Sequence, residues 1–431
     1  MEKREYPAVG EILYRDSLPG GAALCVAVKP GYARRHAFLA VNYGGADRRF
    51  RLNGEAVETP MGVAHYLEHK MFEMPEGDAM YDMAASGAQP NAFTGTGMTA
   101  YYFDCTDGFA DNLRTLLRFV TTPWFTEAGV EKERGIIAQE IRMTEDDPDY
   151  AIYQELLRSL YAHHPVRDSV VGTVESIQAI TPEVLSACHQ VFYHPGNMAL
   201  VVVGDVDPEQ VRAIAAETLS RDSVPAPERD YGEAETALPV RERFTRPMEV
   251  SAPQFLLGCK LPKPESGAAL LREKLVAELA LSCLFRQTSP FFTRLYAEGL
   301  LNTDFFVQLE EAAGTVTLMA GGESRDPERV LREFLDEARR AAEQGLDEAM
   351  FARRKRAFYG RSVRGLAAFG ALCENLAEAE FGGYDFLALF PVLDGLTAED
   401  VRRFAEDYLR PERFAMSVVT PLRAREEADH A

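Results

Sequence analysis

Positive charge is scarce in this 431-residue chain. Forty-six lysines and arginines stand against 67 aspartates and glutamates, a formal net charge of -21. Such a balance repels phosphate backbones and anionic lipid, so nucleic acid and membrane are not expected partners, and neutral or basic ligands are weakly favoured. Long apolar runs are missing as well. No stretch is both apolar and uncharged over the roughly 20 residues of a membrane span, and the opening "MEKREYPAVGEILYRDSLPGG" lacks the apolar centre of a secretion signal. Cysteine is sparse and scattered: Cys25, Cys105, Cys188, Cys259, Cys283 and Cys373 form no C-x-x-C pair, which reads as buried thiols in a reducing compartment. Cytoplasmic residence is the expectation. What remains is 46% hydrophobic and 26% charged, a soluble globular composition in a chain too long for one core.

The segment "SRDSVPAPERDYGEAETALPVRERFTRP", residues 220–247, is rich in proline and charge and poor in apolar periodicity. It is expected to be a linker between domains at 1–219 and 248–431. These halves are related, because "ITPEVLSACHQVFYHPGNMALVVVGD" from Ile180 aligns without a gap to "LTAEDVRRFAEDYLRPERFAMSVVTP" from Leu396. In each copy a threonine caps a helix with a glutamate in its first turn, a proline ends the helix, and an apolar run follows as a buried strand. Repetition of residues and elements together indicates a duplication. "GAALCVAVKP", "HAFLAVNYGG" and "TAYYFDCT" read as strands, while "FADNLRTLLRFVT", "DYAIYQELLRSLY" and "DPERVLREFLDEARRAAEQG" read as capped helices. The expected fold class is α+β: two duplicated domains, each a mostly antiparallel sheet with helices packed on one face.

Only eight histidines are present, yet two fall within one turn of a predicted helix in "AHYLEHKMFE", residues 64–73. Thr59-Pro60 is expected to open that helix, with Pro75 and Gly77 stopping it. His65 and His69 are then four apart on one face, a spacing that can hold one zinc ion. Glu68 points to the same side, where a carboxylate can take a proton from an activated water. The pattern H-x-x-E-H is the inverted zinc-peptidase motif.

A catalytic zinc needs a third protein ligand. Glu133 and Glu140 in "GVEKERGIIAQEIRMTEDD" are two helical turns apart and share a face, with Ile136, Ile137 and Ile141 turned largely toward the core. Spacing alone does not choose between them, and a solvated acidic face is the alternative.

"HYLEHKMF", "GAQPNAFTGTGMTAYYFD", "ERGIIAQEI" and "YHPGNMALVVVGDVD", in that order, resemble the pitrilysin, insulinase and mitochondrial-processing-peptidase family of zinc peptidases. The closest resemblance is to its bacterial processing-peptidase branch, and it runs from the first strands to the last. It implies His65, His69 and Glu140 as zinc ligands, Glu68 as general base, and Glu133 as a carboxylate orienting the site. The interval of 71 residues from His69 to Glu140 is close to the family's usual separation. Asn91, Ala92 and Phe93 match the family's edge strand, which pairs with an extended peptide.

Family members that act alone carry an arginine and a tyrosine in the second domain, where they hold substrate and stabilise the oxyanion. Here Tyr296 stands at the arginine position and Asn302, or Thr303 with a one-residue gap, at the tyrosine position; Arg294 is two residues out of register. A phenol donates a hydrogen bond but does not replace a guanidinium fork. The chain therefore resembles the zinc-bearing member of a subunit pair. The resemblance implies a zinc endopeptidase enclosing short or unfolded peptides in a clamshell chamber, either as a homodimer or with a zinc-less homologous subunit. Its rival is a catalytically inactive peptide-binding or assembly scaffold. His163-His164 reads as a loop pair, and His36, His189 and His194 are given no role.

Overall fold

The computed structural model describes residues 1–220, 226–262 and 266–422, so positions 221–225 of the expected linker lie outside the described residues. A seven-stranded sheet runs in the order Glu2–Tyr6, Glu11–Ser17, Ala23–Val28, Met198–Gly204, Arg35–Val41, Thr99–Cys105, Gln89–Thr94. All its pairs are antiparallel except Met198–Gly204 beside Ala23–Val28. A five-stranded sheet runs Arg243–Met248, Phe414–Pro421, Gln254–Leu261, Thr315–Glu323, Phe306–Ala312. Its one parallel pair is the first, Arg243–Met248 with Phe414–Pro421. The fold class is thus α+β, as expected.

The duplication is visible in backbone detail. Thr181 caps Pro182–Phe192 by accepting from the Val184 amide, and Thr397 caps Ala398–Tyr408 by accepting from the Asp400 amide. The strands that follow, Met198–Gly204 and Phe414–Pro421, take the same place in their sheets, parallel to one neighbour and antiparallel to the other. Both are buried along most of their length, which is why their apolar runs do not alternate.

The two compact units do not follow the order of the chain. One comprises Met1–Ile141, Asp168–Tyr231 and Val363–Leu387; the other comprises Arg142–Arg167, Gly232–Ser362 and the residues from Ala388 onward. Each half of the sequence lends a helix to the other's unit. Phe369–Gly382 packs on Met198–Gly204 and Arg35–Val41, and Pro148–Leu160 packs on Phe414–Pro421 and Gln254–Leu261. Leu156, Leu157 and Leu160 of the second exchanged helix are almost wholly buried, a burial of about 1.5–3 kcal/mol per side chain. The first sheet consequently has helix on both faces. Ala37, Leu39 and Val41 join the main core on one side, and His36 meets Gly370 of the exchanged helix on the other.

Within the segment read as a linker, the described residues are anchored. Glu228–Arg229 pairs with Arg49–Leu52, and Glu235 accepts from the Ala162, His163 and His164 amides. Burial would raise the Glu235 pKa, but those amides and the Lys260 ammonium hold it down at about 2. The strand Arg243–Met248 begins before residue 247. All six cysteines are buried and unpaired, and among the described residues no helix is long and apolar enough to cross a membrane.

Candidate metal centre

The motif helix is Val63–Met71. It opens at Gly62 rather than at Thr59, whose hydroxyl donates instead to the Arg48 carbonyl at 3.1 Å. Gly62 has φ +89°, and a Cβ there would lie 2.7 Å from the Val171 carbonyl oxygen. Only glycine suits both the left-handed backbone and that approach. With nine residues the helix is too short to be stable alone. It is held by Val63, Ala64, Tyr66, Leu67 and Met71 in the core, by the Tyr66 hydroxyl donating to the Val130 carbonyl, and by the buried Lys70 paired with Glu73. Pro75 falls between the short paired strands Glu73–Met74 and Gly77–Asp78, beyond the helix end.

The partner helix is Glu127–Asp146. Ile137 and Ile141 are buried, but Ile136 is 48% exposed, contrary to expectation. At about 100° per residue Ile136 and Ile137 flank the two glutamates on opposite sides, and the core lies on the side of Ile137 and Ile141. The two glutamates face the motif helix. His65 Nε2 lies 3.4 Å from one Glu140 oxygen and His69 Nε2 lies 3.5 Å from the other. Ligand atoms from His65, His69 and Glu140 all fall within 4.8 Å of one another.

Glu133 has a different place. Its Oε1 sits 2.9 Å from His69 Nδ1; with a proton on Nδ1, the Nε2 lone pair is directed toward Glu140 and available to a cation. Burial opposes charge on His69, but the Glu133 hydrogen bond and the Glu68, Glu133 and Glu140 carboxylates hold its pKa above the ordinary value. Glu133 is lowered by its hydrogen bond with His69, and Glu140 by its hydrogen bond with His65. Two imidazole nitrogens and one carboxylate oxygen converging on a point fit a catalytic zinc, with a fourth position left for water or substrate. Glu68 stands beside this set, and its Oε2 accepts a 2.8 Å hydrogen bond from the Thr94 hydroxyl.

Asn91, Ala92 and Phe93 lie on Gln89–Thr94, the outermost strand of the seven-stranded sheet. Asn91 is exposed and turns its side-chain oxygen to the Ala92 amide, 2.8 Å. Phe93 sits beside Phe38 and Tyr102, at 6.1 and 6.4 Å between ring centroids. Tyr296 belongs to the other unit. It is 51% exposed on the helix Pro290–Ala297 and stacks on Phe292. Arg294 is paired with Glu333 at 2.8 Å. Asn302 reaches Asp304 and Glu323. His36 faces Asp104 at 3.0 Å and His189 faces the Val120 carbonyl at 3.0 Å, structural partnerships in both cases.

Thr94, Tyr66 and Lys70 are site-building residues that sequence reasoning missed. A signal for Thr94 was present: alternation along "PNAFT" puts it on the same side of the strand as the core-facing Ala92. The Tyr66 contact is long-range and the Lys70 contact reaches Glu73 just beyond the helix end, with no motif to announce them.

Comparison with known proteins gives one answer at several levels. The model of Insulinase (Peptidase family M16) matches residues 53–174, and that of the Peptidase M16 inactive domain matches residues 179–358. The uncharacterized zinc protease YmfH of Bacillus subtilis is 34% identical over 423 residues, covering 97% of this chain and 98% of that one. An uncharacterized zinc protease of Streptomyces coelicolor is 25% identical over 446 residues, covering 96% and 90%. Among solved structures, an M16-like peptidase from Alicyclobacillus acidocaldarius superposes with a TM-score of 0.92 at 35% identity, over 97% of this chain and 99% of that one. A protease from Helicobacter pylori, 18% identical, shares the fold with a TM-score of 0.79 over 95% of this chain and 99% of that one.

Proposed function

The chain belongs to the M16 peptidase family, the insulinase and pitrilysin group, and from that premise we propose that it is the zinc-bearing subunit of an endopeptidase hydrolysing short or unfolded peptides. The observation that carries the reading is the convergence of His65, His69 and Glu140 beside a half-buried Glu68. The chemistry supplied by a zinc ion held there is polarisation of the scissile carbonyl and acidification of a water. Glu68 takes the proton of the attacking water and returns it to the leaving amine nitrogen. Glu133 holds the His69 ring through Nδ1. The outer edge of Gln89–Thr94, with Asn91, Ala92 and Phe93, pairs with an extended peptide backbone.

Tyr296 offers a phenol where lone-acting relatives place a guanidinium. The oxyanion support is therefore assigned to a second subunit, a zinc-less homologue carrying the arginine and tyrosine, with a homodimer as the other assembly; each chain forms half of a closed chamber. Six unpaired thiols support a cytoplasmic setting. The same Tyr296 favours one further reading, an inactive peptide-binding or assembly scaffold.

Cleavage of a fluorogenic peptide library by the purified chain, alone and mixed with a zinc-less homologue, separates the two. The peptidase reading expects chelator-sensitive turnover that rises when the homologue is added. Absence of turnover in every mixture, or turnover indifferent to chelator, contradicts it.

A further inference from the structure

A carboxylate that moves a proton must be aimed, and among the described residues Glu68 has one hydrogen-bond neighbour to aim it. Its Oε2 accepts from Thr94 Oγ1 at 2.8 Å. Rotation about the last bond of a glutamate is broad and only weakly restrained by its own torsion, whereas a base must come within about 2.6–3.2 Å of the proton it takes. The hydrogen bond from Thr94 ties down one oxygen and leaves Oε1 for the proton.

Thr94 is itself held by an uninterrupted series of contacts. It is the last residue of the outer strand and pairs with Thr99. The turn that follows closes through the Gly95 amide donating to the Met98 carbonyl, 2.8 Å. That turn is fastened to residues 44–46, with the Gly45 amide on the Gly95 carbonyl at 3.0 Å and the Ala46 amide on the Thr96 carbonyl at 2.9 Å. The two backbones approach so closely that a Cβ at Gly44 would lie 2.5 Å from the Thr96 carbonyl carbon. Beneath them Asp47 is 1% exposed; it accepts from the Gly44 amide at 3.0 Å, from Arg229 at 2.7 Å and from the Tyr231 hydroxyl at 2.8 Å. A β-branched side chain on a backbone so fixed has little freedom of its own.

We propose that Thr94 is a positioning residue for the proton-transfer step: it holds the Glu68 carboxylate by Oε2, so that the strand offered to the peptide backbone also sets the direction of the base. Peptide register and base geometry are thereby built into one element. The inference rests on the reading of Glu68 as general base.

The test compares Thr94→Val, which keeps the shape and removes the donor, with Thr94→Ser, which keeps the donor. In the zinc-loaded protein, with its partner subunit if one is required, Thr94→Val is expected to lower kcat about 10- to 100-fold. KM and zinc content should stay within about twofold, and Thr94→Ser should recover kcat to within about threefold of wild type. A second readout needs neither metal nor turnover. In metal-free protein labelled with 13C at glutamate Cδ, the resonance that disappears in Glu68→Gln should shift in Thr94→Val and return in Thr94→Ser. Wild-type kcat in Thr94→Val while Glu68→Gln is inactive overturns the Thr94 inference alone. Equal losses in the valine and serine variants, loss of zinc in Thr94→Val, or an unmoved Glu68 resonance also overturn it. Activity of Glu68→Gln at the wild-type rate removes the base reading on which it rests.

Discussion

The same scaffold is used twice in this chain, and the two copies spend their helices differently. In one unit the helix Val63–Met71 lies against the outer strand Gln89–Thr94; in the other, Ala268–Leu284 lies against the outer strand Phe306–Ala312. The second helix has 17 residues and buries Leu275, Leu279, Ala280, Leu281, Cys283 and Leu284. The first has nine, and the residues around its buried Tyr66 and Leu67 include His65, Glu68 and His69. A helix that only needs to stabilise its unit fills its inner face with apolar side chains. The first, proposed to present a metal site, has less apolar burial and length, and is held from outside itself through the Tyr66 and Lys70 contacts. His65 Nδ1 shows the remaining cost, a buried nitrogen without a hydrogen-bond partner.

His65→Leu makes the first helix resemble the second and tests the contrast most severely. Zinc binding and cleavage should both be lost. The metal-free variant should nevertheless fold and melt within a few degrees of metal-free wild type, since relief of the unsatisfied Nδ1, about 1–3 kcal/mol, offsets loss of the His65 hydrogen bond to Glu140. A metal-free variant melting far below wild type would break the comparison. Glu68→Gln should retain zinc while peptide turnover falls by about 10²–10⁴-fold, the usual worth of a positioned base. Glu133→Gln weakens the grip on the His69 ring and is expected to cost about 10–100-fold in zinc affinity or activity, read by competition with a chelator and by kcat. In the second copy, Leu281→Ala should cost about 2–5 kcal/mol in denaturant unfolding. The zinc bound per folded chain should not change, because Leu281 serves packing alone.

The sequence made legible those features that depend on local pattern. Apolar periodicity marks Phe109–Thr121, and periodicity with the Asp326 cap marks Pro327–Gln344, and the repeat joining Ile180 to Leu396 announces two matching sheets. The spacing within H-x-x-E-H brings His65 and His69 onto one face, and the structure sets both against Glu140. Features that depend on distant parts of the chain were not legible. Nothing in "DYAIYQELLRSLY" says that its helix packs on strands about a hundred and more residues away, nor that the Phe369–Gly382 helix returns to the first sheet. Gly62 replaced Thr59 as the helix opening because the Val171 backbone lies against it, a contact no local rule contains. Thr94 was readable as to its side of the strand, but its partner Glu68 was not.

His65, His69 and Glu140 are proposed to hold one zinc ion, with Glu68 outside the ligand set. Zinc stoichiometry, measured side by side on the wild-type chain, Glu68→Gln and Glu140→Gln after equilibration against a weak chelator, tests that assignment directly. One zinc per chain is expected in the first two and far less than one in the third. Full zinc in Glu140→Gln, or none in the wild type, would contradict it.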